Sequence, residues 1–241
     1  MPPSPARTGQ VSHWYHDLGG LPPRRAALDG DTGADVAIVG AGYTGLWTAW
    51  YLLAARPDLR VVLLERDFAG YGASGRNGGW LTGGFAWDHA RYLPGHGPDA
   101  VRAFVAAMQG SVDEVIAVAE AQGIDADIHR TDELMVATSP AQLARMRAEI
   151  ATRSAWGEAG RLSEMSASDV AARVAIPGAL GAMRLTGVAR IQPAKLVRGL
   201  AAAVERRGAR ICEGTTVTAI TPGRAVTDRG TVTAPVVIRA T

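Results

Sequence analysis

Gly40, Gly42 and Gly45 stand at the spacing G-x-G-x-x-G in the run Gly40-Ala41-Gly42-Tyr43-Thr44-Gly45, and Glu65 follows 20 residues after the last of them. That combination suits a dinucleotide. The first glycine permits a tight turn off a strand. The second lacks a Cβ and lets the backbone approach a pyrophosphate, and the third lets a helix pack closely on the strand. The N–H groups and positive dipole end of that helix would face the phosphates. A carboxylate at Glu65 accepts hydrogen bonds from ribose hydroxyls and disfavours a 2′-phosphate, so NADP is not the expected ligand. The unit alone does not separate NAD from FAD.

Such a turn works only when regular elements present it. Residues 36–39 (VAIV) are a short apolar run of the kind buried on both faces of a parallel sheet. Helix formers and aromatics run from Leu46 to Leu53, and Pro57 sets the latest point at which that helix stops. Residues 61–64 are a second apolar strand leading into Glu65. Strand, turn, helix, strand and acid are all present, which raises the motif well above a lone glycine pattern.

A second glycine cluster follows: Gly70-Tyr71-Gly72-Ala73-Ser74-Gly75-Arg76-Asn77-Gly78-Gly79-Trp80. Its glycines predict neither a helix nor a stable strand. One reading is a flexible loop. Arg76-Asn77 set between glycines, with Trp80 closing the run, favours a close approach to a second part of a large cofactor. Ser74 and backbone N–H groups would then meet phosphate, and Arg76 would supply charge.

The GAGYTGLWTA turn together with GYGASGRNGGW resembles the D-amino-acid-oxidase-like superfamily of FAD-dependent oxidoreductases, in the branch of gamma-glutamylputrescine oxidoreductase-type amine oxidases. The resemblance implies an α/β fold: a Rossmann-like FAD-binding domain, with a parallel sheet flanked by helices and a small β-hairpin or meander, plus a partial α+β substrate domain. It implies that Gly40, Ala41, Gly42, Tyr43, Thr44 and Gly45 hold the FAD pyrophosphate. Glu65, with Arg66 beside it, would serve the ribose end, and Val217 would touch the adenine through its backbone. Ala73, Ser74, Gly75, Arg76, Asn77, Gly78 and Gly79 would lie along the cofactor towards the flavin.

The implied reaction is oxidation of a C–N bond in an amine or amino acid. A hydride passes from the carbon bearing the amine to flavin N5, the imine hydrolyses, and dioxygen accepts the electrons. The flavin performs the difficult chemistry, which fits a chain without a conspicuous acid–base pair, catalytic triad or metal cluster, and no catalytic residue is assigned. The family continues for about as long again beyond Thr241, so the expected organisation is an N-terminal half. Its segments are an irregular arm (1–33), a first FAD-binding segment (34–87), a partial substrate domain (88–186) and a second FAD-binding segment (187–241). Two alternatives remain: a non-catalytic truncated cofactor-binding fragment, and an NAD-dependent dehydrogenase supported only by residues 35–65.

The rest of the sequence agrees with a globular enzyme domain. Of 241 residues 47% are hydrophobic, which excludes wholesale disorder. The net charge is +2, and Lys195 is the only lysine among 25 basic residues scattered between 23 acids. No basic run interleaves with aromatics, which argues against nucleic acid as a partner. Cys212 stands alone, so an internal disulfide and a cysteine-based metal cluster are excluded. His89, His96 and His129 share no metal-ligand spacing. The first 20 residues carry no apolar h-region, and no apolar run reaches membrane-spanning length, so a soluble cytoplasmic protein is expected. Trp14 and Tyr15 are expected to pin the arm onto the domain.

Further along, the 3.6-residue spacing predicts a helix over 98–122, and Ser139-Pro140 opens another after a strand at 134–137. An amphipathic helix spans 193–207, with Gly208 placed to end it. Strands follow at 209–212 and 217–220, then a Pro222-Gly223 turn, a hairpin through Val226 and Val232, and a parallel-type strand at 235–241.

Overall fold

The computed structural model describes residues 12–84 and 88–241. Residues 1–11 of the expected arm, and 85–87 at the end of the expected first cofactor segment, lie outside the described residues. The chain divides into two compact units: residues up to Gly79 with 119–127 and 192–241, and residues 80–118 with 128–191.

The first unit is built on the apolar runs. Strands Val236–Arg239, Val36–Val39, Val61–Leu64 and Arg210–Cys212 lie side by side in that order, all parallel, with Val36 opposite Val61 and Val236. All four residues of the Val36–Val39 strand are buried, as are all four of Val61–Leu64, because both faces are covered. On one face helix Tyr43–Ala55 buries Gly45, Leu46, Ala49, Trp50 and Leu53, one stripe at helical spacing. Beside it packs helix Pro193–Arg206, with Gln192 as N-cap, Pro193 in its first turn and Leu196, Leu200 and Val204 inside. On the other face a smaller sheet brings Leu28, Ala225, Val232 and Ala234 against Ala37, Val62 and Cys212. That sheet is the expected meander, Val217–Thr221, Arg224–Thr227 and Gly230–Thr233 in antiparallel pairs, with strand Thr32–Gly33 added in parallel.

From Ser12 on, the arm is more ordered than Pro22-Pro23 suggest. Ser12 precedes a short helix, His13–Asp17, whose Tyr15 is 1% exposed and packs edge-on against Phe68. Five residues carry no useful helical propensity by themselves; tertiary contact makes this helix.

The second unit is an antiparallel sheet with helices. Its central strand, Gly181–Arg190, pairs with His129–Ala137 on one side and with Leu162–Ser166 and Trp80–Leu81 on the other. Helix Gly97–Ala121 buries Val112 and Ile116 against Ala189. Helix Pro140–Arg153 starts where expected, the Ser139 hydroxyl accepting the Gln142 N–H. Three elements here were not read from the sequence: the central strand, Leu162–Ser166, and helix Ala167–Arg173, whose reciprocal cap by Ser166 and Asp169 was its one local signal. They also move the boundaries. The expected breaks at 87/88 and 186/187 fall instead at 79/80 and 191/192, because strand Trp80–Leu81 and the whole of Gly181–Arg190 pair within this sheet. Residues 119–127 return to the first unit. Among the described residues no helix is long and apolar enough to cross a membrane.

Candidate functional site

The G-x-G-x-x-G turn leaves the carboxyl end of strand Val36–Val39 and enters helix Tyr43–Ala55 directly. Gly40 sits at φ +105°, a conformation only glycine adopts without strain, and its N–H donates to the Leu64 carbonyl at 2.8 Å. A Cβ at Gly45 would collide with the Gly40 carbonyl oxygen and stand 3.3 Å from Ile38 Cγ2. A Cβ at Gly42, the residue before the first helical turn, would stand 2.9 Å from Ser74 Oγ. The three glycines therefore meet three separate steric demands.

The second glycine run folds back onto this turn. The Tyr43 N–H donates to Ser74 Oγ at 2.8 Å, and the Gly70 N–H donates to the Ala41 carbonyl at 3.0 Å. Ser74 was expected to meet phosphate directly; it occupies the helix N-terminus, and its hydroxyl keeps one donor. Residues Ala73–Gly75 form a single 3-10 turn, where neither helix nor strand was expected. Asn77 holds the loop in shape: its Nδ2 donates to the Ser74 carbonyl at 3.0 Å and its Oδ1 accepts the Gly79 N–H at 2.9 Å. The Arg76 guanidinium donates to the Gly72 carbonyl at 3.3 Å and lies over the Tyr71 ring, 4.8 Å from its centroid. Thr44 is exposed in the first helical turn, and its carbonyl accepts from the Thr48 hydroxyl at 2.7 Å.

The residues expected at the ribose end gather in one cleft. A cavity of about 280 Å³ is lined by Val39, Gly40, Leu64, Glu65, Arg66, Thr215, Thr216, Val217 and Thr241, at the carboxyl ends of the parallel strands. Ligands of open α/β sheets lie at that place. The Glu65 carboxylate accepts the Ala41 N–H at 2.9 Å through one oxygen and the Asp67 N–H at 3.0 Å through the other. Each oxygen retains a further lone pair. Val217, 152 positions from Glu65 in the chain, reaches the cleft as the first residue of its strand.

Several residues that shape the site escaped the sequence reading. Glu213, one residue past strand Arg210–Cys212, is 1% exposed. It accepts from the Ala69 N–H (2.9 Å), the Arg25 N–H (2.8 Å), Arg25 Nη1 (2.8 Å) and Arg198 Nη1 (2.9 Å). Burial alone would raise its carboxyl; the backbone donors, Arg25 and Arg198 outweigh it and hold the group below the usual carboxylate range. Its only sequence signal is an acid at the end of a parallel strand, and nothing local marks Arg25 as its partner. Burial pushes the Tyr15 phenol up to about 12, against the lowering charge of Arg198, so it stays a neutral donor at pH 7. Burial raises the Tyr43 phenol further still, and its hydroxyl donates to the Pro193 carbonyl at 3.1 Å. Cys212 is fully buried and burial raises its thiol, which disfavours the reactive thiolate.

In the second unit, a cavity of about 640 Å³ is lined by Trp80, Asp88, Glu133, Glu149, Arg153 and Glu158 among others. Glu158 is buried and takes two hydrogen bonds from Arg153, at 3.0 and 2.7 Å. His89 is buried there too, its ring stacked on Trp156.

Residues 35–241 match the family model described as DAO, FAD dependent oxidoreductase. The chain is 34% identical over 209 residues to gamma-glutamylputrescine oxidoreductase of Escherichia coli, covering 86% of this chain and 48% of that protein. Among solved structures it resembles glycine oxidase from Geobacillus kaustophilus, with a TM-score of 0.68 at 26% identity, over 87% of this chain and 55% of that one. It shares its fold with L-proline dehydrogenase from P. horikoshii, with a TM-score of 0.71 at 18% identity, over 89% of this chain and 54% of that one. The chain spans about half the length of the curated relatives it matches.

Proposed function

This chain belongs to the DAO family of FAD-dependent oxidoreductases, and from that premise we propose that it binds FAD across its two glycine turns and serves the oxidation of a C–N bond in an amine or amino acid. The observation that carries the reading is the junction of those turns at the Tyr43 N–H and Ser74 Oγ, 2.8 Å apart, beside the cleft that holds Glu65 and Val217. One extended ligand then reaches both. The loop glycines add independent support. A Cβ at Gly72 or Gly78 would meet no atom of the described residues within 4 Å, so their packing does not require glycine there, whereas a ligand passing close to the backbone would.

The residues fit the cofactor. Gly42 leaves room for the pyrophosphate, with Ala41, Thr44 and the first-turn N–H groups to meet it and the Ser74 hydroxyl to donate. The spare lone pairs of Glu65 accept ribose hydroxyls, Arg66 flanks them, and Val217 borders the adenine. Residues Ala73, Gly75, Arg76, Asn77, Gly78 and Gly79 extend towards the flavin. When bound, FAD would supply the two-electron acceptor for oxidation of the carbon bearing the amine. The chain's own part is to bind and orient.

Purified protein tests this. A visible flavin spectrum that bleaches anaerobically with an amine or amino acid supports it. Tight NAD binding without flavin would favour a dehydrogenase, and a chain that stays colourless with added FAD, a non-catalytic fragment. Gly42→Val is expected to abolish FAD retention, because its side chain drives the Ser74 hydroxyl off the Tyr43 N–H and crowds the helix N-terminus where the pyrophosphate would lie; unchanged affinity by fluorescence titration counts against the motif. Glu65→Ala is expected to weaken FAD by roughly 10- to 100-fold, the loss of charged hydrogen bonds of about 1.5–3 kcal/mol in all. An equal dissociation constant in that variant would remove Glu65 from the site.

A further inference from the structure

We propose that the short helix His13–Asp17 is a clamp that fixes the 70–79 loop in its FAD-binding geometry, with Trp14 as the positioning residue that aims the Gly78 N–H at the cofactor. The proposal rests on the FAD reading above and assigns a role to a segment outside both glycine motifs.

Three donors from this segment hold three loop carbonyls. The Trp14 indole N–H donates to the Asn77 carbonyl at 2.8 Å, the Ser12 hydroxyl to the Gly75 carbonyl at 2.9 Å, and the Tyr15 hydroxyl to the Gly70 carbonyl at 3.1 Å. They fall near the beginning, the middle and the far end of the loop. The clamp is itself anchored: Gln192 Nε2 donates to the Trp14 carbonyl at 2.8 Å, and Tyr15 is buried with Phe68 and Ala194. The loop is shaped to it, since a Cβ at Gly75 would stand 2.6 Å from the Tyr15 hydroxyl.

The direction of the peptide plane gives the consequence. In a trans peptide the carbonyl of one residue and the N–H of the next point in opposite directions. Fixing the Asn77 carbonyl on Trp14 therefore turns the Gly78 N–H away from the helix. The space at Gly78 on which a side chain would intrude holds no atom of the described residues within 4 Å. A backbone donor turned from the helix at a position with no side chain suits a ligand better than it suits packing. Without the indole N–H that peptide is free to rotate, although the hydrophobic contacts of Tyr15 still hold the helix in place.

Trp14→Phe separates the two roles, because it keeps an aromatic ring on the helix while removing the donor. In the FAD-free chain, amide hydrogen exchange in residues 70–79 is expected to rise about tenfold while exchange in strands Val36–Val39 and Val61–Leu64 stays unchanged. In the FAD-loaded chain the dissociation constant is expected to rise about fivefold, the effect of one net hydrogen bond, and the visible flavin bands and their circular dichroism to shift. Should Trp14→Phe not fold, Ser12→Ala, which deletes only the hydroxyl on the Gly75 carbonyl, carries the same readouts. Unchanged loop exchange in a folded variant would overturn the clamp, and so would raised exchange with FAD affinity and flavin spectrum unaltered. If the unsubstituted chain takes up no FAD, the cofactor reading falls and the proposal with it, which is distinct from loss of the clamp in an FAD-binding chain.

Discussion

Gly45→Ala is expected to destabilise the first unit by about 3 kcal/mol, the upper end of overpacking costs, and to strip bound FAD. In an isolated helix the substitution would help, since alanine is favoured over glycine by about 1 kcal/mol at an interior position. Here the added methyl runs into the Gly40 carbonyl oxygen and presses on Ile38 Cγ2 at 3.3 Å. The first of those is backbone, in the turn itself, and cannot rotate away as a flexible side chain would. Helix Tyr43–Ala55 must tilt off strand Val36–Val39, which spoils the packing of Leu46 and Ala49, both 0% exposed. The same tilt moves the helix N-terminus from the place where the pyrophosphate would lie. A urea titration read by tryptophan fluorescence, with flavin retention after gel filtration, checks both parts. A midpoint equal to that of the unsubstituted chain would show that the turn relaxes freely.

The second large effect lies at Glu213. Its carboxylate ties together the segment before Leu28, the turn through Ala69 and helix Pro193–Arg206, three stretches that meet behind the cleft. Glu213→Ala leaves Arg25 and Arg198 facing each other, with side chains only 16% and 18% exposed. Breaking one partner of a buried network typically costs about 3–5 kcal/mol. Arg25 keeps its two hydrogen bonds to Glu205, both at 2.7 Å, which places the expected loss near the lower value. The carboxyl also makes a pH signature. Its folded-state pKa is depressed, so its contribution is fully present above the unfolded value of about 4.3 and is lost as pH falls through the folded value. Denaturant midpoints of the unsubstituted chain should fall below about pH 4.3, and those of Glu213→Gln should start lower and fall less. Parallel pH profiles for the two proteins would exclude Glu213 as the source.

Some of this protein was legible in local sequence because the information is local. A four-residue apolar run is a buried strand whatever follows it, and Val36–Val39 and Val61–Leu64 are as expected. Glycine spacing reports backbone freedom directly, so Gly40 at φ +105° and the close approach at Gly45 are where the motif put them. Proline and serine fix helix starts, as at Ser139 and Pro193. Strand Gly181–Arg190 was not legible, since its small residues and two arginines carry no clean alternation, and its partners on both sides make it a strand.

Residue chemistry by itself thus determined that a G-x-G-x-x-G turn joins a buried strand to a helix, which residues form it, and that a second glycine run accompanies it. Only the tertiary structure decided that Ser74 would sit on the Tyr43 N–H, that Trp14 would hold Asn77, and that Glu213 would gather Arg25 and Arg198. The reason is physical. Propensity and periodicity act over a turn of helix or a few strand residues, whereas a hydrogen bond between residues 63 or 188 positions apart exists only once the hydrophobic core has brought its ends together.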